Sequence, residues 1–92
     1  MPPPLFSLGQ TVATPGALEA LKQNLQTADE FLTRHQNGDW GDISKQDANE
    51  NIRSLKEGSR ILSAYRLRNG TQIWVISEAD RSSTCILLPE EY

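Results

Sequence analysis

The sequence has little of what secreted, membrane-spanning and catalytic proteins use. Its one cysteine, Cys85, cannot form an internal disulfide, so nothing indicates a disulfide-stabilised secreted fold. No apolar run approaches the roughly 20 residues that cross a bilayer. The start, Met1-Pro2-Pro3-Pro4, has no basic residue of the kind that begins a signal peptide. We therefore expect a cytoplasmic protein with no membrane partner.

Catalytic and cofactor motifs are also missing. The chain has no phosphate-binding loop, no Ser-His-Asp order and no zinc-ligand spacing, so we expect no cofactor. His35, Asp39 and Asp42 form a pattern that could in principle bind a divalent cation. Aspartate and glycine in a loop between helices are also what turn formation requires. We therefore expect no metal site.

Charge is unevenly distributed along the 92 residues, whose net charge is −3. Residues 1–51 contain three basic and seven acidic side chains, whereas residues 52–92 contain six basic and five acidic ones. An acidic chain argues against a dedicated nucleic-acid binder, which usually carries a basic surface. We therefore favour a protein partner or self-association, with nucleic acid as the less favoured partner.

Helix start and stop signals occur three times in the N-terminal part. Thr14-Pro15, the capping box Thr27 to Glu30, and Ser44 each precede a helical segment, and Asn37-Gly38 and Gly58 provide stops. The predicted helices cover about 15–23, 28–36 and 45–57. The third is very polar, and its apolar stripe is expected at Ala48, Ile52 and Leu55.

From Ser59 onward, apolar residues follow the two-residue period of β-strands. Strands are predicted at 60–68, 72–77 and 83–88, with a hairpin turn at Asn69-Gly70 in which both residues adopt positive φ. The sequence thus predicts an α+β fold in which two to three N-terminal helices pack on a C-terminal three-stranded antiparallel β-meander. The sheet has four strands if residues 9–13 also form a strand. Residues 1–8 are expected to be a Pro-rich extended lead-in, and 9–92 a single domain.

Five segments resemble a family of short bacterial plasmid-related proteins, carried on plasmids and other mobile elements. The segments are TPGALEAL at 14–21, RHQNGDWG at 34–41, SAY at 63–65, EADRSST at 78–84 and LLP at 87–89. The resemblance extends from about Leu8 to Tyr92. It implies a bacterial, intracellular, mobile-element setting and supplies no activity.

Three residues are candidates for catalysis. His35, the sole histidine, titrates near neutrality and could act as a general base. Arg81 and Thr84 could hold a phosphate, as in a metal-independent ribonuclease or toxin. The competing interpretation places His35 at a helix end beside the core and makes 80–84 a tight turn.

Four residues are candidates for binding. Trp40, in a Gly-flanked turn, could be a recognition aromatic or could fill a gap in the core. Arg60, Arg66 and Arg68 share strand parity and could form a basic strip that holds phosphate or an acidic partner, or a solvated surface that keeps an edge strand soluble.

The function that we expect first is a non-catalytic protein-interaction module of a mobile element, acting through a sheet edge or the third helix. The alternative from another class is the ribonuclease just described. A second alternative is a counter-defence inhibitor, whose acidic first half would meet a basic nucleic-acid-binding protein of the host.

Overall fold

The structure, a computed structural model, describes residues 3–92. Met1 and Pro2, at the start of the predicted lead-in, lie outside the described residues. The chain is α+β, with three helices and a four-stranded mixed sheet. The elements follow in the order β1 (Gln10–Ala13), α1 (Pro15–Gln23), α2 (Ala28–Gln36), α3 (Lys45–Glu57), β2 (Ile61–Arg66), β3 (Gln72–Ser77), β4 (Ser83–Leu87) and a 3₁₀ turn (Pro89–Glu91).

The strands lie in the order β1-β4-β3-β2. β2 with β3 and β3 with β4 pair antiparallel, as the meander prediction requires. β1 pairs parallel with β4, so the sheet is mixed. The prediction of a wholly antiparallel sheet was wrong in this respect. A parallel pair needs a long crossover, and all three helices lie between β1 and β4 along the chain.

Each helix begins at the capping residue that the sequence predicts. The side chains of Thr14, Thr27 and Ser44 accept hydrogen bonds from the backbone N–H three residues later, at 3.2, 3.4 and 3.0 Å. The box at Thr27 is only half formed, because the Glu30 carboxylate accepts from the Gln26 side chain instead. The helix bounds depend on these local signals and agree with the prediction.

The hairpin between β2 and β3 differs from the predicted two-residue turn. Only Gly70 has positive φ, at 89°, and Asn69 does not. The Leu67 N–H donates to the Thr71 carbonyl at 2.8 Å, and the Gly70 N–H donates to the Leu67 carbonyl at 2.9 Å. These bonds describe a three-residue loop that closes with a left-handed glycine, the next most common hairpin type.

Helices α1 and α2 cover one face of the sheet, which we call the inner face. The buried core contains Ala17, Leu21, Phe31, Leu32, Tyr65, Ile73, Val75 and Ile86. Helix α3 lies against the edge strand β2, and its buried residues are Asn51 and Ser54. Ile52, predicted to pack, is 59% exposed. No helix among residues 3–92 has the length and apolar character needed to span a membrane.

The described part of the predicted lead-in contacts the domain. The Leu5 N–H donates to the Gln36 carbonyl at 2.8 Å, and the Gln36 side chain donates to the Phe6 carbonyl at 2.9 Å. Leu8 is half-buried against the core. The segment therefore packs over the end of α2 before β1 begins.

Candidate functional site

His35 is fully buried and belongs to a chain of polar side chains between α2 and the inner face of the sheet. Its Nδ1 lies 2.6 Å from Ser63 Oγ, and its Nε2 lies 3.0 Å from Ser77 Oγ. Ser77 Oγ lies 2.6 Å from Thr84 Oγ1, which donates to the Leu8 carbonyl at 2.8 Å. The polar chain thus connects α2, β2, β3, β4 and the segment before β1.

For a neutral His35, the direction of every bond in this hydrogen-bonded chain follows from its last member, Thr84. The Thr84 hydroxyl has one proton and gives it to the Leu8 carbonyl, so Thr84 Oγ1 must accept from Ser77. The Ser77 oxygen then accepts from His35 Nε2–H, and His35 Nδ1 accepts from the Ser63 hydroxyl. Each group is satisfied when His35 is neutral and carries its proton on Nε2.

Aromatic rings enclose the imidazole. The ring of Phe6 lies edge-on at 5.2 Å between centroids, and the ring of Trp40 lies edge-on at 5.9 Å. Burial lowers the pKa of His35 to about 4, and the positive charge of Arg81 acts in the same direction. The neutral form, which satisfies every bond of the hydrogen-bonded chain, is therefore also the form that this environment favours.

Arg81 is bound to backbone carbonyls rather than placed in an open cleft. Its guanidinium donates to the carbonyls of Ser54, Ser59, Glu78 and Ala79 at 2.6–3.2 Å. Its own φ is +60°. The guanidinium carbon lies 5.6 Å from the centre of the Phe6 ring. Arg81 therefore connects the β3–β4 turn to the end of α3.

The structure brings the three predicted catalytic residues into one region, but not into a site that a substrate could enter. His35 and Thr84 are both 0% exposed, and both nitrogen atoms of the imidazole are occupied. A general base must come within hydrogen-bond reach of the proton that it removes. In this geometry, His35 and Thr84 do not face solvent, and Arg81, which is partly exposed, bonds to backbone carbonyls.

The predicted binding residues lie in different environments. Trp40 is only 8% exposed and is a core residue, so its predicted recognition role would require a surface that it does not have. Arg60 pairs with Glu78 at 3.3 Å, and Arg66 pairs with Asp42 at 3.2 Å, with all four side chains well exposed. Arg60 precedes β2 and Arg68 lies in the hairpin loop. The basic strip is thus largely neutralised by acidic neighbours.

The acidic residues between α2 and α3 bind arginines. Asp39 accepts two bonds from Arg34, at 2.7 and 3.3 Å, which hold the pKa of its carboxyl below its usual value. Asp42 pairs with Arg66. Within residues 3–92, no three histidine, cysteine, aspartate or glutamate side chains are grouped so that they could hold a metal ion.

The sheet edge at β2 is closed by other parts of the chain. The Asn51 amide of α3 bonds both backbone groups of Leu62, at 2.7 and 3.1 Å. The Ala64 N–H donates to the Trp40 carbonyl at 3.0 Å, and the Ala64 carbonyl accepts from the Asp42 N–H at 2.6 Å. The outward-facing groups of these two residues are thus paired, and no further strand can add beside them.

The opposite sheet edge, β1, is open. The N–H groups of Gln10 and Thr14 donate at 2.9 Å to the carbonyls of Ser82, just before β4, and Ile86, within β4. Because alternate residues of a parallel strand bond to the same neighbour, Val12 also faces β4, and Thr11 and Ala13 face outward. Across residues 3–92, neither outward N–H donates to a backbone carbonyl.

An apolar cavity of about 250 Å³ adjoins this open edge on the inner face. Leu18 of α1 is 54% exposed at its mouth. The other lining residues come from β1, α2 and β4: Thr11, Val12, Ala13, Ala28, Leu32 and Ile86. Unpaired backbone groups and an apolar cavity are thus adjacent on one side of the molecule. We call Thr11, Ala13 and this cavity the β1 edge site.

The outer face of the sheet carries an apolar row that none of the helices α1–α3 within residues 3–92 covers. Leu62, Ile76, Cys85 and Val12 are cross-strand neighbours in register across all four strands. Beside the row is a cavity of about 330 Å³, lined by Arg60, Leu62, Trp74, Ile76 and Tyr92. Of these residues, Arg60 was predicted from the sequence as a binding residue, and the others were not. The unbroken apolar character of β3, which indicates apolar residues on both faces, is a signal for Trp74 and Ile76 but not for Leu62 and Tyr92.

Comparison with known proteins identifies no relative. No protein-family model, no curated protein and no solved structure matches this chain.

Proposed function

We propose that this chain is a cytoplasmic, non-catalytic protein-interaction module that binds an extended segment of a partner polypeptide at the β1 edge site. The observation that carries the proposal is the difference between the two sheet edges. The chain pairs the outward groups of Leu62 and Ala64 in β2 with its own residues, whereas no backbone partner for those of Thr11 and Ala13 lies within residues 3–92. The mobile-element setting rests on the resemblance of five sequence segments alone.

The geometry defines how a partner strand would pair. Thr11 and Ala13 each offer one N–H and one C=O to an incoming strand, which alternates its side chains between the two faces of the sheet. A residue that faces the helices would enter the 250 Å³ cavity beside Leu18 and Leu32. Backbone bonds would provide affinity, and the cavity would select an apolar side chain. Because β1 is only four residues long, the contact is small and suits transient binding.

The burial of His35 supports the non-catalytic part of the proposal. His35 is the residue on which the ribonuclease alternative depends, and it is buried with both ring nitrogens bonded. Burial, which lowers the pKa of His35 to about 4, also disfavours the protonated form that a general base must reach during catalysis. A protein that acts by contact needs no such group.

The test is peptide selection followed by a backbone variant. Peptides selected from a random display library against the wild-type protein would be measured against Thr11→Pro, which removes an outward N–H without removing a bond to β4. We expect at least about tenfold weaker binding, as the loss of one hydrogen bond and a distorted edge imply. Thr11→Val, which keeps the N–H, is the matched control and should bind like the wild type.

Amide exchange gives a second readout. Adding a selected peptide should slow hydrogen exchange at Thr11 and Ala13, whereas Leu62 should already be protected in the free protein. Peptides that bind Thr11→Pro as tightly as the wild type, or that leave exchange at Thr11 and Ala13 unchanged, would refute strand addition.

A further inference from the structure

The cavity on the outer face, which we call the Trp74 pocket, has the dimensions of a site for one small ring. Its volume is about 330 Å³, at the lower end of the range for small-molecule sites. Trp74 and Tyr92 form an aromatic corner, with ring centroids 5.8 Å apart and ring planes at 69°. Leu62 and Ile76 provide aliphatic walls. An aromatic ring placed there would meet both ring faces and ring edges, which is the arrangement that aromatic pairs prefer.

The pocket has a single cationic group, Arg60, held at its rim. One terminal nitrogen of Arg60 donates to the Tyr92 hydroxyl at 3.2 Å, and the other donates to Glu78 at 3.3 Å. A guanidinium has five N–H groups, so these two bonds leave three for another acceptor. The pair with Glu78 is well exposed on both sides, and such pairs contribute little to stability. Arg60 therefore bonds to the pocket residue Tyr92 and keeps N–H groups for an anionic oxygen, which would share the guanidinium with the weakly held Glu78 carboxylate.

We propose that the Trp74 pocket binds an aromatic carboxylate, with its ring against Trp74 and Tyr92 and its carboxylate on Arg60. The apolar walls match the ring of such a ligand, and the guanidinium of Arg60 matches its carboxylate. This site is on the opposite face of the sheet from the cavity of the β1 edge site. The two proposals are therefore independent, and a failure of one does not affect the other. The carboxylate could belong to a free aromatic acid or to a polypeptide that ends in an aromatic residue.

The test is NMR titration with 3-phenylpropionate. The chain has two tryptophans, and the indole N–H signal of Trp74 should shift in a saturable way while that of buried Trp40 stays in place. We expect a dissociation constant of about 1 mM or below, typical of a one-ring ligand. Arg60→Gln should weaken binding about tenfold, because a charge-assisted hydrogen bond is lost.

Controls separate the two halves of the ligand and its two sources. Arg66→Gln removes an arginine of similar exposure, paired with Asp42 outside the pocket, and should leave the affinity unchanged. The neutral 3-phenylpropanol should bind about tenfold more weakly than the acid. A tetrapeptide ending in phenylalanine, compared with its amidated form, tests the polypeptide source: tighter binding than 3-phenylpropionate would assign the site to a chain end, and weaker binding would assign it to a free acid.

Three results would overturn the proposal. The first is the absence of any saturable shift at Trp74 up to about ten times the expected dissociation constant. The second is equal binding of acid and alcohol, and the third is an equal loss in the variants of Arg60 and Arg66. Thr11→Pro, which tests the β1 edge site, should leave the titration with 3-phenylpropionate unchanged.

Discussion

Lowering the pH should destabilise this protein through one side chain, His35. Burial lowers its pKa from 6.5 to about 4 in the folded protein, whereas the unfolded chain keeps the ordinary value. The unfolded state therefore binds the proton more readily. The stability that comes from a neutral His35 is complete above about pH 6.5 and is lost as the pH falls towards the folded pKa.

The size of the effect follows from the two pKa values. Each pH unit between them costs about 1.4 kcal/mol, so the free energy of unfolding should fall by about 2 kcal/mol between about pH 7.5 and pH 5. The carboxyl groups of Asp39 and Glu91, whose pKa values are lowered in the fold, contribute little in this interval, because their ordinary pKa values of 3.8 and 4.5 lie below it. Protonated His35 would also place an N–H on Nδ1, where Ser63 now donates.

Urea denaturation at a series of pH values measures this slope. The single histidine allows a direct check, because its ring proton signal in the NMR spectrum reports only His35. We expect that signal not to titrate above about pH 5. His35→Gln removes the titrating group, so its stability should be nearly flat over the same interval. A His35 signal that titrates near its ordinary value would refute the burial argument, whether or not the variant folds.

Two further predictions concern the closed β2 edge. Asn51→Ala should lower the free energy of unfolding by about 3 kcal/mol in urea denaturation, because both backbone groups of Leu62 lose their partner, whereas Ile52→Ala should change it by less than about 0.5 kcal/mol. Equal effects would show that the apolar pattern, and not the amide, holds α3 in place. Gly41→Ala should cost about 3 kcal/mol or more, measured in the same way, because a Cβ there would lie 2.0 Å from the Ala64 carbonyl oxygen at a φ of +73°. A near-neutral result would mean that this contact can relax without loss of the edge pairing.

Parts of the outer-face and edge sites could be read from the sequence, and parts could not. Arg60 was predicted as a binding residue from its charge and strand parity, and it lines the Trp74 pocket. Trp74 and Tyr92 were not predicted as site residues, because their side chains come into contact only through a 3₁₀ turn that brings the end of the chain back to β3. The open groups of Thr11 and Ala13 were missed because edge status is a property of the sheet and not of the strand.

The sequence by itself determined the elements that depend on local chemistry. The capping hydroxyls at Thr14, Thr27 and Ser44 mark where the helices begin, and the change of period after Ser59 marks where the strands follow. These signals act over three or four residues, so they need no knowledge of what packs against them.

Only the tertiary structure decided the features that depend on distant partners. It placed β1 parallel to β4 at one edge of the meander, a pairing between residues about 70 positions apart that local sequence does not show. It exposed Ile52 and buried Asn51, because the edge of β2 offers backbone groups and not an apolar surface. It also made His35 a buried member of a hydrogen-bonded chain, since Ser63, Ser77 and Thr84 meet it only once three strands lie side by side. The order of residue types along the sequence does not show which side chains come into contact across the sheet, because those contacts depend on the register of its strands.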